Sequence, residues 1–462
     1  MKINNICCIG AGYVGGPTMA VIAEKCPDIT VTCVDINEDK IKNWNSNNYD
    51  TIPVKEPGLN SILKKVRGRN LFFSSDIKSN IEKSEMIFLA VNTPTKTKGK
   101  GKGMAADLKY VIQSTKLILK YSKTDKIVVE KSTLPVKTAE KIDEILSTNK
   151  KNLKFRILSN PEFLAEGTAI KDLYKSDRVL IGGSRDKLGQ DAVSKLKEIY
   201  LRWIPEEKII TTDIWTSELS KLASNAMLAQ RISSINSLSA VCRETGADID
   251  ELSIAVGMDT RIGNKFLKVS PGFGGSCFKK DILNLVYLCK SFGLDEVGEF
   301  WHQVVKINDY QRDMVFNYTK DLLIDLKINE IIILGWAFKK DTNDSRESSS
   351  IPITLNLINY GYDVHIFDPL IEKNKIIDDV MNLNTQQTRE RVEHSKILKK
   401  LFVYTKIEEV IDKSKVCLIL TESDEYKDFS WTTIKKPFYV LDARNFISNE
   451  VSSNKLIKYK KL

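Results

Sequence analysis

Cys277 stands in the stretch Gly272-Phe273-Gly274-Gly275-Ser276-Cys277-Phe278-Lys279-Lys280-Asp281. Two glycines just upstream let backbone approach a ligand closely. The apolar-polar run that follows reads as a helix, so the sulfur is expected near a helix N-terminus, where the dipole favours the thiolate. A thiolate is the most effective ordinary side-chain nucleophile at neutral pH. Asp281 falls one helical turn beyond the thiol, on the same face, within reach of a water attacking a thioester. Taken alone, a cysteine at a helix start is more often a buried, inert residue. A second motif has to shift that balance.

That motif is Gly10-Ala11-Gly12-Tyr13-Val14-Gly15, which follows an apolar run, opens a helical stretch and is succeeded about 20 residues on by Asp35. Gly10 makes the turn, Gly12 admits a pyrophosphate to the backbone, and Gly15 lets helix and strand pack closely. Asp35 would accept hydrogen bonds from ribose hydroxyls and repel a 2′-phosphate, so the spacing predicts NAD rather than NADP. A placed thiol beside a nicotinamide site suggests oxidation through a covalent intermediate, because an aldehyde is oxidised further only after a nucleophile makes it tetrahedral. Lys221 and Asn225 lie four residues apart on one helix face and could stabilise an oxyanion. The alternative for both is an ordinary exposed helix surface. Glu162 and Glu166, in Asn160-Pro161-Glu162-Phe163-Leu164-Ala165-Glu166-Gly167, suit acid-base work or cofactor contact, or else complement a helix dipole.

The elements that must position these groups are legible as a pattern. The chain has 462 residues, 42% of them hydrophobic, enough for two or three domains with real cores. Short β-branched runs alternate with helical stretches up to about residue 200, the signature of a parallel sheet covered on both faces. Strands are expected near Ile3–Ile9, Thr30–Asp35, Glu85–Val91, Lys126–Lys131 and Lys154–Ser159, with ligand-lining turns after them at Asn92-Thr93-Pro94, Ser132-Thr133-Leu134-Pro135 and Asn160-Pro161-Glu162. A helix of about 50 Å is expected over 212–245. Alternation resumes with a strand at Ile331–Leu334, a helix over Ile351–Tyr360 and a strand at Asp363–Phe367. The polar stretch 372–400 reads as a mobile surface excursion. The fold class is therefore α/β, two Rossmann-like parallel-sheet domains joined by a long central helix: a dinucleotide-binding part over 1–210, a central helical part over 211–325 and a second Rossmann-like part over 326–462.

The composition narrows the partners. No apolar run approaches the ~20 residues of a membrane span, and the first one, Ile6–Ile9, ends in glycines rather than a cleavage site, so the chain is expected to begin at Met1. Eight cysteines without paired spacing suggest reduced thiols in the cytoplasm. His302, His365 and His394 follow no ligand spacing, so no metal is expected. The tract from Lys96 to Gly103 could meet nucleic acid or phosphate, but no aromatic residues interleave to stack bases, so it reads as a mobile, solvated loop and no nucleic acid is expected; the net charge of +10 suits an anionic small substrate.

Five stretches together go further. The cysteine motif, Ser159-Asn160-Pro161-Glu162-Phe163-Leu164-Ala165-Glu166-Gly167-Thr168-Ala169, Glu218-Leu219-Ser220-Lys221-Leu222, Arg261-Ile262-Gly263-Asn264-Lys265-Phe266-Leu267-Lys268 and Phe338-Lys339-Lys340-Asp341-Thr342 resemble the animal-type branch of the UDP-glucose/GDP-mannose dehydrogenase family. The resemblance runs from Lys2 to about Arg444 and is weak near Asn47 and over 372–400. It implies four-electron oxidation of UDP-glucose to UDP-glucuronate with two NAD in succession. By resemblance, Cys277 is the nucleophile, Lys221 and Asn225 hold the oxyanion, and Glu162, with Thr133 and Asp281 around a water, serves proton transfer and thioester hydrolysis; the division of base duty between Lys221 and Glu162 is left open. Likewise NAD falls to Gly10, Gly12, Gly15, Asp35, Lys40, Asn92, Thr93, Ser132, Thr133, Glu166, Lys280 and Arg346. The UDP-sugar falls to Phe163, Leu164, Lys221, Asn225, Lys268, Phe273, Phe278, Phe338, Lys339 and Arg444, with Arg261 reaching a neighbouring subunit in a dimer or hexamer. The branch has arginine at Lys40, phenylalanine at Trp336, glutamine at Lys279 and an aromatic at Lys55.

Three other functions remain open on the residues themselves. A related enzyme could act on GDP-mannose or a UDP-amino sugar, an NAD-binding scaffold could have lost catalysis, and a one-step dehydrogenase would need no cysteine. Two, one or no NADH per sugar separates the double oxidation, the single oxidation and the scaffold, and product analysis separates the sugars.

Overall fold

The computed structural model describes residues 2–386 and 392–461. The chain folds into two compact units, Met1–Ser224 with Leu283–Phe292, and Asn225–Ile282 with Gly293–Leu462. In the first, eight strands, β1 (Asn5–Ile9), β2 (Thr30–Val34), β3 (Leu71–Ser74), β4 (Met86–Leu89), β5 (Lys126–Glu130), β6 (Phe155–Ser159), β7 (Val179–Gly183) and β8 (Ile209–Thr212), form one sheet in the order β3-β2-β1-β4-β5-β6-β7-β8. All neighbours run parallel except β6 and β7. The central strands are buried along their length, as a sheet covered on both faces requires. The five expected strands are present, each a residue or more shorter at its ends, while β3, β7 and β8 were not anticipated. Strand β7, Val-Leu-Ile-Gly-Gly, shows why: a Cβ on Gly182 would lie 2.4 Å from Cβ of Ser217, so its glycines serve close packing of a helix and carry no strand signal.

In the second unit β9 (Glu330–Leu334), β10 (Asp363–Phe367), β11 (Leu401–Tyr404), β12 (Val416–Ile419), β13 (Phe438–Asp442) and β14 (Ile457–Lys461) form an all-parallel sheet ordered β11-β10-β9-β12-β13-β14. Both sheets grow outward in both directions from their first strand. This is the doubly wound order, whose switch point lies beside the carboxyl end of that strand.

The stretch expected to be a mobile excursion is largely regular. Helices Lys373–Gln386 and His394–Lys400 cover it, because Ile376, Val380 and Ile397 are sparse but correctly spaced to bury a face in the core. Residues 387–391 lie outside the described residues. The long helix is Ile214–Thr245, 32 residues, and it carries the chain from one unit into the next. A second helix of equal length, Asp295–Leu326, was not resolved from the sequence as one element. Among the described residues, no helix is long and apolar enough to cross a membrane.

The first turn of the long helix is tied to the sheet by an acid pair. Glu218 accepts from the Lys137 and Ala139 amides, 2.7 and 2.9 Å, at the start of helix Thr138–Ser147, and lies against Glu130 at the end of β5. Burial, then the charge of Glu218, holds the Glu130 carboxyl well above the usual range. Burial likewise pushes Glu218 up to about 7, against the pull of the amides. A raised folded-state pKa contributes stability that is full below the unfolded value and lost as pH rises through the folded one. Glu218→Gln, which mimics the protonated acid, is therefore expected to gain about 1–3 kcal/mol on the parent protein between about pH 5 and pH 8 in denaturant titrations. A stability gap independent of pH would exclude the pair as a titrating tie.

Candidate active site

The turn Gly10–Gly15 joins β1 to helix Gly15–Lys25. A Cβ on Gly15 would lie 2.0 Å from the Gly10 carbonyl oxygen and 3.0 Å from Cys8 Sγ, so only glycine lets the helix sit this close. Gly12 faces open space, and the helix start carries no side-chain cap. Asp35 waits beside this bare turn: its Oδ2 accepts from the Ala11 amide at 3.1 Å and from Lys40 Nζ at 2.9 Å, and its Oδ1 from the Asn37 amide at 3.0 Å. A glycine turn with room at Gly12 and a fixed carboxylate beside it fits a dinucleotide's pyrophosphate and ribose. Trp44, absent from the sequence reading, locks the turn by donating its indole N–H to the Ala11 carbonyl at 2.9 Å.

The turns after β4, β5 and β6 fall in the same unit. Thr93 donates its hydroxyl to the Thr133 carbonyl at 3.1 Å, while Asn92 is exposed. Ser132 turns its hydroxyl inward, onto the Val91 carbonyl at 2.6 Å, so its side chain braces the turn. The loop bearing Glu166 is anchored by Glu56, which accepts from the Gly167 and Ala169 amides at 2.6 and 2.9 Å, and by the Tyr13 hydroxyl. Glu56 was missed because it lies in an irregular loop without motif.

Lys221 is not an exposed helix residue. It is 5% exposed and Glu162 8%, with Nζ 3.6 Å from Glu162 Oε1, while Glu162 Oε2 has no hydrogen-bond partner. The Phe163 ring meets two cations, Arg178 at 3.8 Å and Lys221 Nζ at 5.4 Å from its centre. Leu164 is half-buried beside it. Arg178 was also missed, since a lone arginine before a strand carries no sequence signal.

Residues of the second unit carry the thiol. Cys277 precedes helix Phe278–Ser291, its carbonyl accepting from the Asp281 amide at 2.9 Å, so it occupies the expected helix start. Of eight cysteines seven are buried and Cys277 is exposed, with Ser276 Oγ 3.4 Å from Sγ. Asp281 is 1% exposed and accepts from Asn225 Nδ2 at 2.6 Å and from Lys280 Nζ. Asn225 follows Lys221 by one turn of the same helix.

The glycine loop before the thiol is moulded onto 338–347. The Gly275 amide donates to the Arg346 carbonyl at 2.8 Å, and at φ +80° a Cβ there would lie 2.9 Å from the Phe338 ring. Asn308, outside every motif read from the sequence, grips Phe273 at both backbone groups, 2.7 and 3.1 Å, and the Phe273 and Phe278 rings meet edge to face at 5.9 Å. Arg444 is directed to backbone, donating to the Leu420 and Phe338 carbonyls at 2.8 and 3.0 Å, and burial lowers its pKa. Lys268 pairs with Glu422 at 2.6 Å, Arg346 with Asp344 at 2.7 Å, and Lys339 lies 5.7 Å from the Phe338 ring centre. Arg261 stands apart from these, its side chain 87% exposed and paired with Asp259.

A doubly wound sheet with this glycine turn and acid at the end of its first strands defines a dinucleotide-binding protein of the Rossmann type. Its three stretches match the NAD-binding, central and UDP-binding domain models of one family, over residues 4–204, 215–310 and 332–449. The chain belongs to the UDP-glucose/GDP-mannose dehydrogenase family. It is 51% identical over 455 residues to UDP-glucose 6-dehydrogenase 1 of Glycine max, covering 96% of this chain and 93% of that one. It is 50% identical over 461 residues to UDP-glucose 6-dehydrogenase of Gallus gallus, covering 97% and 90%. The fold is similar to that of a UDP-glucose dehydrogenase from Pyrobaculum islandicum, with a TM-score of 0.81 at 26% identity over 99% and 97% of the two chains.

Gly275→Ala tests the moulded loop. The left-handed backbone alone is expected to cost about 1–2 kcal/mol, with the Phe338 contact adding to it. Calorimetric titration should show weakened UDP binding and unchanged NAD binding; unaltered UDP affinity and melting temperature would refute the packing argument.

Proposed function

We infer that the chain oxidises C6 of UDP-glucose twice, through the aldehyde to the carboxylate, giving UDP-glucuronate. NAD supplies the hydride acceptor, one molecule for each oxidation. The observation that carries the covalent route is the exposure of Cys277 among seven buried cysteines, at a helix start where a thiolate is favoured.

Lys221 takes the C6 hydroxyl proton in the first oxidation, and a lysine enclosed against Glu162 suits that role because both are almost out of water. Asn225 donates to the oxyanion, its amide already oriented by Asp281. Cys277 adds to the aldehyde as a thiohemiacetal, whose loss of a second hydride leaves a thioester. Glu162, Thr133 and Asp281 direct the water that releases the acid. Gly10, Gly12, Gly15, Asp35, Lys40, Asn92, Thr93, Ser132, Thr133, Glu166, Lys280 and Arg346 serve NAD; the bracing role of the Ser132 hydroxyl favours contact through its backbone. Phe163, Leu164, Lys268, Phe273, Phe278, Phe338, Lys339 and Arg444 serve the UDP-sugar, the cations neutralising diphosphate charge.

The working parts are the NAD-binding residues 1–210, the central 211–325 and the UDP-binding 326–462. Exposed Met227, Val241, Ile254, Met258 and Phe300 support self-association, as dimer or hexamer, with exposed Arg261 reaching the second copy. Eight free cysteines suit the reducing cytoplasm.

Turnover with UDP-glucose is expected to release two NADH per sugar consumed, with UDP-glucuronate as the product by mass; one NADH and a free aldehyde would overturn the double oxidation. Cys277→Ser is expected to bind UDP-glucose normally and to lower UDP-glucuronate formation at least about 1000-fold. Acid formation at the parent rate would remove the sulfur from the mechanism.

A further inference from the structure

The backbone from Ser270 to Phe273 leads to the thiol and lies outside every strand and helix, so its polar groups must find partners among side chains. Three buried carboxamides, each at most 4% exposed, supply them. Asn236 on the long helix accepts from the Ser270 amide at 3.0 Å, and Gln311 on helix Asp295–Leu326 donates to the Ser270 carbonyl at 3.1 Å. Asn308, three residues before Gln311 on the same helix, takes both groups of Phe273, accepting from its amide at 2.7 Å and donating to its carbonyl at 3.1 Å. A carboxamide carries a donor and an acceptor at the spacing of a peptide group, so Asn308 pairs with Phe273 as a neighbouring strand would. Gly272 makes room for it: its φ is +124°, and a Cβ there would lie 2.8 Å from Asn308 Oδ1. Asn308 differs from the other two carboxamides in what lies beyond its contact. The Phe273 ring meets the Phe278 ring edge to face at 5.9 Å, and Phe278 is the residue after Cys277. On the other flank a Cβ on Gly274 would lie 2.6 Å from the Glu347 carbonyl oxygen, and the Gly275 amide donates to the Arg346 carbonyl at 2.8 Å. Cys277 is thus preceded and followed by anchored residues, and Asn308 reaches both sides of it through Phe273.

We propose that Asn308 is a positioning residue for the capture of the aldehyde by Cys277, acting through the backbone and ring of Phe273. The first oxidation passes a hydride from C6 to NAD and leaves an aldehyde. Capture forms the S–C6 bond and moves the thiol proton to the former carbonyl oxygen; a second NAD then takes the remaining C6 hydride, and water breaks the S–C6 bond to release the acid. Of these steps, capture is the one that needs the sulfur held at bonding distance from a planar carbon. Loss of the Asn308 hydrogen bonds therefore slows capture more than the first hydride transfer, and the aldehyde leaves uncaptured. Ser270, which Asn236 and Gln311 hold, is seven residues before the thiol, and its loosening costs stability without this effect.

This inference rests on the double oxidation proposed above, so the parent enzyme is assayed first, with semicarbazide present to trap free aldehyde. A parent ratio other than two NADH per UDP-glucuronate defeats the reaction itself; a parent ratio of two leaves the variants to judge Asn308 alone. Asn308→Leu and Gln311→Met each remove a carboxamide from the same loop at nearly equal volume, and both are expected to lower the melting temperature. In Asn308→Leu acid formation should fall at least about 10-fold, with KM for UDP-glucose changed less, NADH per UDP-glucuronate well above two and the excess recovered as trapped aldehyde. Gln311→Met should keep the ratio at two. A ratio of two in Asn308→Leu, or an equal rise in Gln311→Met, would reduce Asn308 to a structural residue. Asn308→Asp keeps an acceptor for the Phe273 amide and replaces the leucine variant where that one does not fold: a ratio above two supports the capture role, and a ratio of two overturns it.

Discussion

Lys221 and Glu162 face each other at 3.6 Å with almost no solvent at either, and a charge pair in that position must be supported on every side. Removing one member strands the other, so a buried pair of this kind is a demanding feature to build. The first unit is arranged around it. Glu218 ties the preceding turn of the long helix to the amides of a neighbouring helix, Asn160 anchors the turn before Glu162, and the Phe163 ring meets both Arg178 and Lys221. The long helix runs uninterrupted from Ile214 to Thr245.

The second unit solves a different problem. Its thiol must remain open while the loop carrying it stays rigid. Asn308 holds the Phe273 backbone and Gly275 seats on the Phe338 ring, while Cys277 is exposed at the helix start. Asp281, one turn inside, is buried and committed to Asn225 and Lys280, which fixes the amide rather than leaving it to search for a partner.

Asp35 shows how a carboxylate is fixed beside a glycine turn. Two backbone amides and Lys40 hold its carboxylate in one place, so the energy of orienting it is met in folding. A lysine here retains charge and lacks the planar fork of an arginine, leaving Asp35 with a single side-chain donor.

Local chemistry made much of this readable in the chain itself. The glycine turn and Asp35, the helical spacing of Lys221, Asn225 and Asp281, and the strand-helix alternation all depend on neighbours within a few residues or on fixed periods, so pattern alone reveals them. Strand β7 escaped because its glycines answer to packing partners outside the strand, Ser217 for Gly182 and Val193 for Gly183, and the helices over 373–400 escaped because a few apolar residues suffice once a core is there to receive them. Glu56, Arg178 and Asn308 escaped for the same reason. A polar residue in a helix or an irregular loop has meaning only through what burial brings beside it. Sequence by itself determined the α/β class, the glycine turn and the place of Cys277 at a helix start. Only the tertiary structure decided which charges are buried together, because desolvation and pairing are properties of enclosed space and not of order along a chain.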